Sequence, residues 1–461
     1  MADREHIGRT PLHLAAKSNE DPSVSELLLQ RGADIGERDP GGKIPLHLAA
    51  WSNRNPSVSE LLIRHGADIG ARDDRGRTPL HLAAWFNGNP SVSELLVQRG
   101  ADIGERSPFD MTPLHYAARS NENPSVLELL IRRGADIGAR GYSGRTPLHE
   151  AAGSNRNPSV SELLLGHGAD IGARASDGQT PLHEAAGFNW NPSVSELLVR
   201  RGADIGARAS DGRTPLHLAA RFNEKSPSVL ELLLQCGADI GERDDKGRTP
   251  LHLAARLNEN QSVSELLVRR GADIGARDGK GRTPLHLAAQ LNWNRSVSEL
   301  LVRRGADIVA TDDAGWTPLH LAAANNGEPV VRLLVERGAD IGARDDKGRT
   351  PLHLAARHSE IPWNVDLLLD LGADAQAQDE VGRSPWDYAQ ENDVLANTNA
   401  YWRLKADMVS VPINIRKDEF DKILRENGET LFHIGQNPTK ERKLTGAFRF
   451  LRSFLNSVLE K

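Results

Sequence analysis

Near-copies of one stretch recur along most of this chain, and their spacing limits the fold more than any other feature. The stretch is Gly247-Arg248-Thr249-Pro250-Leu251-His252-Leu253-Ala254-Ala255. Its Thr-Pro-Leu-His core begins at Thr10, Thr78, Thr112, Thr146, Thr180, Thr214, Thr249, Thr283, Thr317 and Thr350, with variants at Ile44 and Ser384. The interval is 34 residues, except for 35 before Thr249 and 33 before Thr350. A fixed period of this length is the signature of a stacked solenoid, in which each module touches only its neighbours.

The module reads most clearly from Thr78 to Arg106. Thr78 can cap a helix with its hydroxyl, and Pro79 suits the first helical position, where no amide donor is needed. Leu80, Ala83 and Ala84 then form a narrow apolar face. A second helix carries Val92, Leu95, Leu96 and Val97. Two residues compete to cap it. Asn89 precedes Pro90, whereas Ser91 followed by Glu94 has the capping-box spacing. Gln261 and Arg295 replace the proline while Ser262-Val263-Ser264-Glu265 and Ser296-Val297-Ser298-Glu299 persist, so the serine is the expected cap. Gly100 ends the helix in a left-handed position, and a polar turn leads to the next Gly-Arg-Thr as a hairpin-like projection. Two small apolar faces have nowhere to be buried except against the next module.

These residues closely resemble the ankyrin repeat family: Thr-Pro-Leu-His-Leu-Ala-Ala, the paired leucines of the second helix, and Gly-Ala-Asp before the hairpin. The resemblance covers roughly residues 4 to 403 in twelve register-matched copies. It implies an all-α solenoid of helix-turn-helix pairs with β-hairpin-like loops. The chain departs from the family pattern in its period, usually one residue longer, and in Gly36, Gly70 and Gly104, where the family often has Asn. Asparagine hydroxylation, known for some members, has no substrate at those sites. The last repeat is similar to that of many bacterial ankyrin proteins.

The expected organisation is a repeat array over 1–403, with 1–42 as N-terminal cap, 43–382 as internal repeats and 383–403 as C-terminal cap, followed by a tail over 404–461. Trp386, Tyr388 and Trp402 are expected to seal the open end of the stack. The seventh repeat carries an insertion around Glu224-Lys225-Ser226. In the tail, Phe448, Leu451, Leu455 and Val458 make an apolar stripe flanked by Lys440, Arg442, Lys443, Arg449 and Arg452. This segment reads as a small appendage, a partner-binding helix or a reversible membrane contact.

Composition narrows the function. The net charge of −6 is spread over interleaved signs, which argues against a nucleic-acid binder. The single cysteine, Cys236, excludes an internal disulfide and fits a reducing compartment. It stands where other repeats have Arg99 or Arg201, so a surface role is expected. No apolar run approaches the roughly 20 residues that cross a bilayer, and Met1-Ala2-Asp3-Arg4-Glu5-His6 has no leader character. The expected location is cytoplasmic, with leaderless secretion open.

Catalytic signals are absent. Eleven of the 16 histidines occupy the Thr-Pro-Leu-His position, as structural hydrogen-bonding residues would. His149-Glu150-Ala151-Ala152-Gly153 has glycine where a zinc-protease helix needs its second histidine. Asp244-Asp245-Lys246-Gly247 lacks the spacing of a calcium loop. Neither cofactor nor metal is expected, and His433 in the tail has no recognisable companions.

Recognition is expected where repeats differ. The residue after Leu-His is Tyr116, Glu150 and Glu184 in repeats four to six, against Leu in most others. By the family resemblance this column and the end of the first helix face a concave groove. Trp51, Trp85 and Arg119 follow there, with Phe86, Phe188 and Phe222 beside them, Trp190 and Trp293 in the interhelical turn, and Phe109 and Met111 in an aberrant hairpin. The aromatics either fill gaps between repeats or anchor a partner. Glu150 and Glu184, followed by glycines, read as an acidic niche for a basic segment.

The expected function is a monomeric, non-catalytic scaffold binding a protein or peptide on its groove and hairpin tips. Two alternatives stay open: an effector or enzyme acting through the tail with the repeats as targeting arm, and a membrane adaptor using the tail helix.

Overall fold

The structure, a computed structural model, describes residues 8–408 apart from 19–20, 223–226, 258–259, 292–294, 326–327, 359–361 and 397, with backbone alone at 406–408. Trp293, the Glu224-Lys225-Ser226 insertion and the tail from 409 lie outside the described residues. The helix Asn399–Met408 runs through the expected array boundary at 403. Contacts divide the chain into two units, 1–254 with 262–272 and 255–261 with 273–461.

Each unit is a succession of antiparallel helix pairs, and no strand forms among the described residues. In the first unit, Pro45–Ser52, Pro79–Phe86, Pro113–Ser120, Pro147–Ser154 and Pro181–Phe188 each pack on the next first helix. Second helices such as Pro56–Arg64, Pro90–Gln98 and Pro124–Arg132 form a parallel layer behind them. The second unit repeats this with Pro284–Leu291, Pro318–Asn325, Pro351–His358 and Pro385–Ala389. Helices of eight or nine residues are too short to persist alone, so the stacking supplies their stability.

The first helix begins as its sequence dictates. Thr78 caps Pro79–Phe86, accepting from the His81 amide, while the His81 ring accepts at Nδ1 from the Thr78 amide at 3.2 Å. Leu80, Ala83 and Ala84 are fully buried, and the alanines let successive backbones approach closely. The second helix begins two residues earlier than expected. Its cap is Asn89, whose side-chain oxygen accepts from the Ser91 amide at 3.0 Å, and Pro90 is the first helical residue. Ser91 therefore lies inside the helix. The competing asparagine prevails because its Nδ2 also donates to the Arg54 carbonyl of the preceding repeat at 2.6 Å, a contact that local sequence does not display.

A second set of asparagines crosses between repeats. The buried Asn121 donates through Nδ2 to the carbonyls of Ala84 (2.9 Å) and Asn87 (3.1 Å), and its Oδ1 accepts from the Asn123 amide (3.0 Å). Asn87, Asn155 and Asn189 do the same one period away. The interhelical turns thus hang on one another by side-chain bonds that satisfy buried carbonyls.

At the junctions the backbone folds back in a tight turn, with the Asp73 amide donating to the Arg77 carbonyl at 2.9 Å. Gly76 turns it with φ of 64°, where an added Cβ would lie 2.3 Å from Pro108 of the next turn. The Asp73 side chain accepts from the Arg77 guanidinium at 2.7 Å, both groups buried. Burial pushes the Asp73 carboxyl up, but the hydrogen bonds from Arg77 hold it below its ordinary value.

At the end of the array Tyr388 is buried and donates its hydroxyl to Asp379 at 2.7 Å. Trp402, expected to help seal this end, is 42% exposed; Tyr401 makes the ring contact with Trp386 instead, at 4.5 Å. Cys236 is exposed. Among the described residues no helix is long and apolar enough to cross a membrane.

Candidate functional site

The recurring histidines are fully committed to the scaffold. His81 accepts at Nδ1 from Thr78 and donates from Nε2 to the Met111 carbonyl of the next junction at 3.1 Å. His149 bridges Thr146 and the Gln179 carbonyl in the same way. Each ring is neutral with the proton on Nε2, because only that tautomer serves both partners. Burial pushes His47, His81, His115 and His149 down to about 4.

The framework changes in the middle of the first unit. The aspartate seen at Asp39, Asp73 and Asp244 is replaced by Ser107, Gly141, Ala175 and Ala209 in four successive junctions. The first three of these repeats carry Tyr116, Glu150 and Glu184 in the column after the histidine, and the fourth keeps Leu218. The two changes meet in space. With Gly141 in place of the aspartate, Arg145 reaches instead to Glu184, 2.5 Å away. The Tyr116 hydroxyl lies 3.4 Å from Ser107 Oγ.

A run of aromatic rings borders this region across three repeats. Trp51 lies 5.7 Å from Phe86, Phe86 stacks on Trp85 at 4.3 Å, and Trp85 lies 5.2 Å from Tyr116. The Arg77 guanidinium covers Trp85 at 5.2 Å. A cleft of about 520 Å³ opens beside the run, bounded by Trp85, Tyr116, Phe109 and Tyr142 with arginines between them. A second cleft of about 410 Å³, lined by Trp51, Trp85 and Phe86, shares Arg75, Arg77 and Trp85 with it.

Most of the expected recognition residues of the first five repeats converge here. Trp85, Phe109, Tyr116, Arg119 and Glu150 share the larger cleft. Met111 also lines it but is only 6% exposed, so of the two hairpin residues expected to take part only Phe109 projects. Phe188 and Phe222 pair at 5.2 Å further along, and Arg156 covers Trp190 at 5.7 Å. These three rings do not line either cleft. Tyr142, Arg75 and Arg145 went unread in the sequence. Tyr142 is 63% exposed and meets Phe109 edge-on at 6.0 Å, and an aromatic at a junction was its available signal.

The two glutamates do not form an open niche. Glu150 and Glu184 are buried, Glu150 facing Arg119 at 3.7 Å and Glu184 bonded to Arg145. Gly153 makes room for the Glu184 carboxylate itself, since a Cβ there would stand 3.1 Å from its Oε2. Burial raises Glu150 above its ordinary value, and pushes Glu184 up to about 7 against the pull of Arg145. The expectation of a basic segment rested on these carboxylates facing a partner, and their burial and pairing remove that basis.

The family model described as ankyrin repeats (three copies) matches residues 12–107, 80–175, 155–244, 223–312 and 294–379. No curated protein matches the chain.

Proposed function

The chain belongs to the ankyrin-repeat family, and from that premise we propose that it is a non-catalytic scaffold whose partner lies across the aromatic run of the first unit. Ankyrin repeats are generally protein-interaction modules. The observation that carries the reading is the coincidence of three features in one place. The framework aspartates give way there, the Leu column is replaced there, and large rings stand partly exposed beside a cleft. Rings of this kind are common anchors of interface energy, worth about 2 kcal/mol or more each at a hot spot. A monomer in the cytoplasm suits this role, with the exposed Cys236 kept reduced.

A photo-crosslinking side chain placed at Phe109 should capture the partner. The same group at Arg99, whose guanidinium bonds Glu60 of the preceding repeat, should not. Equal capture from both positions would show that the groove is not the recognition surface.

A further inference from the structure

Charge is displayed unequally around the larger cleft. The Arg119 and Arg145 side chains are 49% and 31% exposed, whereas those of their partners Glu150 and Glu184 are 6% and 2% exposed. The Asp73 side chain is likewise covered behind Arg77. Arg75 is exposed and lines both clefts. Asp74, beside Lys43 in the smaller cleft, is the one exposed carboxylate among the lining residues. In the Arg119–Glu150 and Arg145–Glu184 pairs the guanidinium stands toward solvent and the carboxylate behind it, whereas Arg77 and Asp73 are both buried, so the cleft presents positive charge although the pairs balance formally. The burial that pushes Glu184 up to about 7 leaves part of its charge neutralised near neutral pH and adds to the same sign.

Between these cations stand Trp85, Tyr116, Phe109 and Tyr142. A cleft of about 520 Å³ is in the range of sites that enclose a compact apolar group. We infer that the groove takes an acidic peptide segment that inserts an aromatic or branched apolar side chain among these four rings and sets its carboxylates against Arg75, Arg119 and Arg145. The inference rests on the groove reading above and supplies the chemistry of its partner. A nucleic acid also combines rings with anions. However, the cations here form one local cluster on a chain of net charge −6, and a phosphate backbone needs a longer basic track.

The test selects binders from random displayed peptides on the full chain, then measures the individual peptides against Arg75→Glu and Phe109→Ala. Both residues are exposed, so the substitutions leave the framework intact. The selected peptides should carry Asp and Glu around a Phe, Trp or Leu, lose about tenfold in affinity on either substitution, and weaken as salt is raised. Lysine-rich peptides that still lose affinity on Phe109→Ala would overturn the acidic assignment and leave the groove reading standing. Acidic peptides indifferent to both substitutions, or no selected peptide at all, would overturn the groove reading with it. Tighter binding of a single-stranded RNA homopolymer, lost on Arg75→Glu, would overturn the assignment to a peptide.

Discussion

Arg145 and Glu184 are 39 residues apart in sequence, yet the guanidinium of one lies 2.5 Å from the carboxylate of the other. The contact exists because Gly141 stands where other junctions keep an aspartate for their arginine. The arginine crosses to the next repeat, and its new partner occupies a column that is otherwise leucine. One substitution in a turn and another in a helix thus compensate each other across a repeat boundary.

Glu184→Gln should leave the fold intact and stabilise the protein near neutral pH. Burial raises the folded-state value of Glu184 to about 7, above its ordinary 4.5. Its stabilising contribution is complete below about 4.5, and is lost as pH rises through about 7. Glutamine keeps the shape without the ionised form. Denaturant midpoints should be nearly equal at about pH 4.5, and the variant should lead by on the order of 1 to 3 kcal/mol at about pH 8. A variant less stable at the higher pH would show that the Arg145 pair outweighs burial.

The framework histidines act in the opposite direction. Their folded-state value of about 4 lies below the ordinary 6.5, so their contribution is complete above about 6.5 and is lost as pH falls toward about 4. Four such rings oppose the buried carboxyls that are raised, Glu184 and, by direction, Glu150 and Asp366, and they should prevail. Stability of the whole chain should fall between about pH 6.5 and about pH 4.5, with uptake of more than one proton on unfolding. A denaturant midpoint that stays level across that interval would contradict the assignment of these rings as buried neutral donors.

The helix pairs were legible because Thr78, Pro79, His81 and Gly100 act within a few residues of themselves. The second-helix cap was misread for the complementary reason. Ser91 and Glu94 fit a local rule, whereas Asn89 is favoured by a bond to Arg54 in another repeat. The aromatic run was legible as a column of large residues, although the burial of Met111 was not, since exposure depends on how one turn rests on the next. Glu150 and Glu184 were visible as departures, but their partners lie a repeat away, and charge alone does not reveal which member of a pair faces solvent.

Asn121→Asp should cost more than its small change in shape suggests. The carboxylate cannot donate, and it would face the Ala84 and Asn87 carbonyls that the amide now satisfies at 2.9 and 3.1 Å. The expected loss is about 2 to 4 kcal/mol. Asn123→Ala, which removes a partly buried cap, should cost about 1 kcal/mol. Chemical denaturation of the two variants side by side checks the order; a reversed order would mean that the buried asparagine row is not what ties the turns together.

Gly153 and Gly187 occupy equivalent positions near the ends of neighbouring helices, and replacing each with alanine should give opposite results. Glycine within a helix is destabilising by roughly 1 kcal/mol relative to alanine. At Gly187 an added Cβ meets Leu218 Cβ at 3.4 Å and Leu218 Cδ1 and Phe222 Cδ2 at 3.7 Å, all ordinary contact distances, so Gly187→Ala should be stabilising by a few tenths to 1 kcal/mol. At Gly153 it would meet Glu184 Oε2 at 3.1 Å and Glu184 Cβ at 3.3 Å. The carboxylate can rotate, but Cβ is fixed to the backbone, and any rotation pulls the oxygens away from Arg145. Gly153→Ala should therefore be neutral or destabilising in the natural chain, and less so when combined with Glu184→Ala, which removes the carboxylate but keeps the Cβ at 3.3 Å. Thermal or denaturant unfolding of the two single variants and the double variant gives the coupling, expected at about 1 kcal/mol or more. Additive effects would show that the glycine serves the helix packing alone and that Glu184 does not depend on the space it leaves.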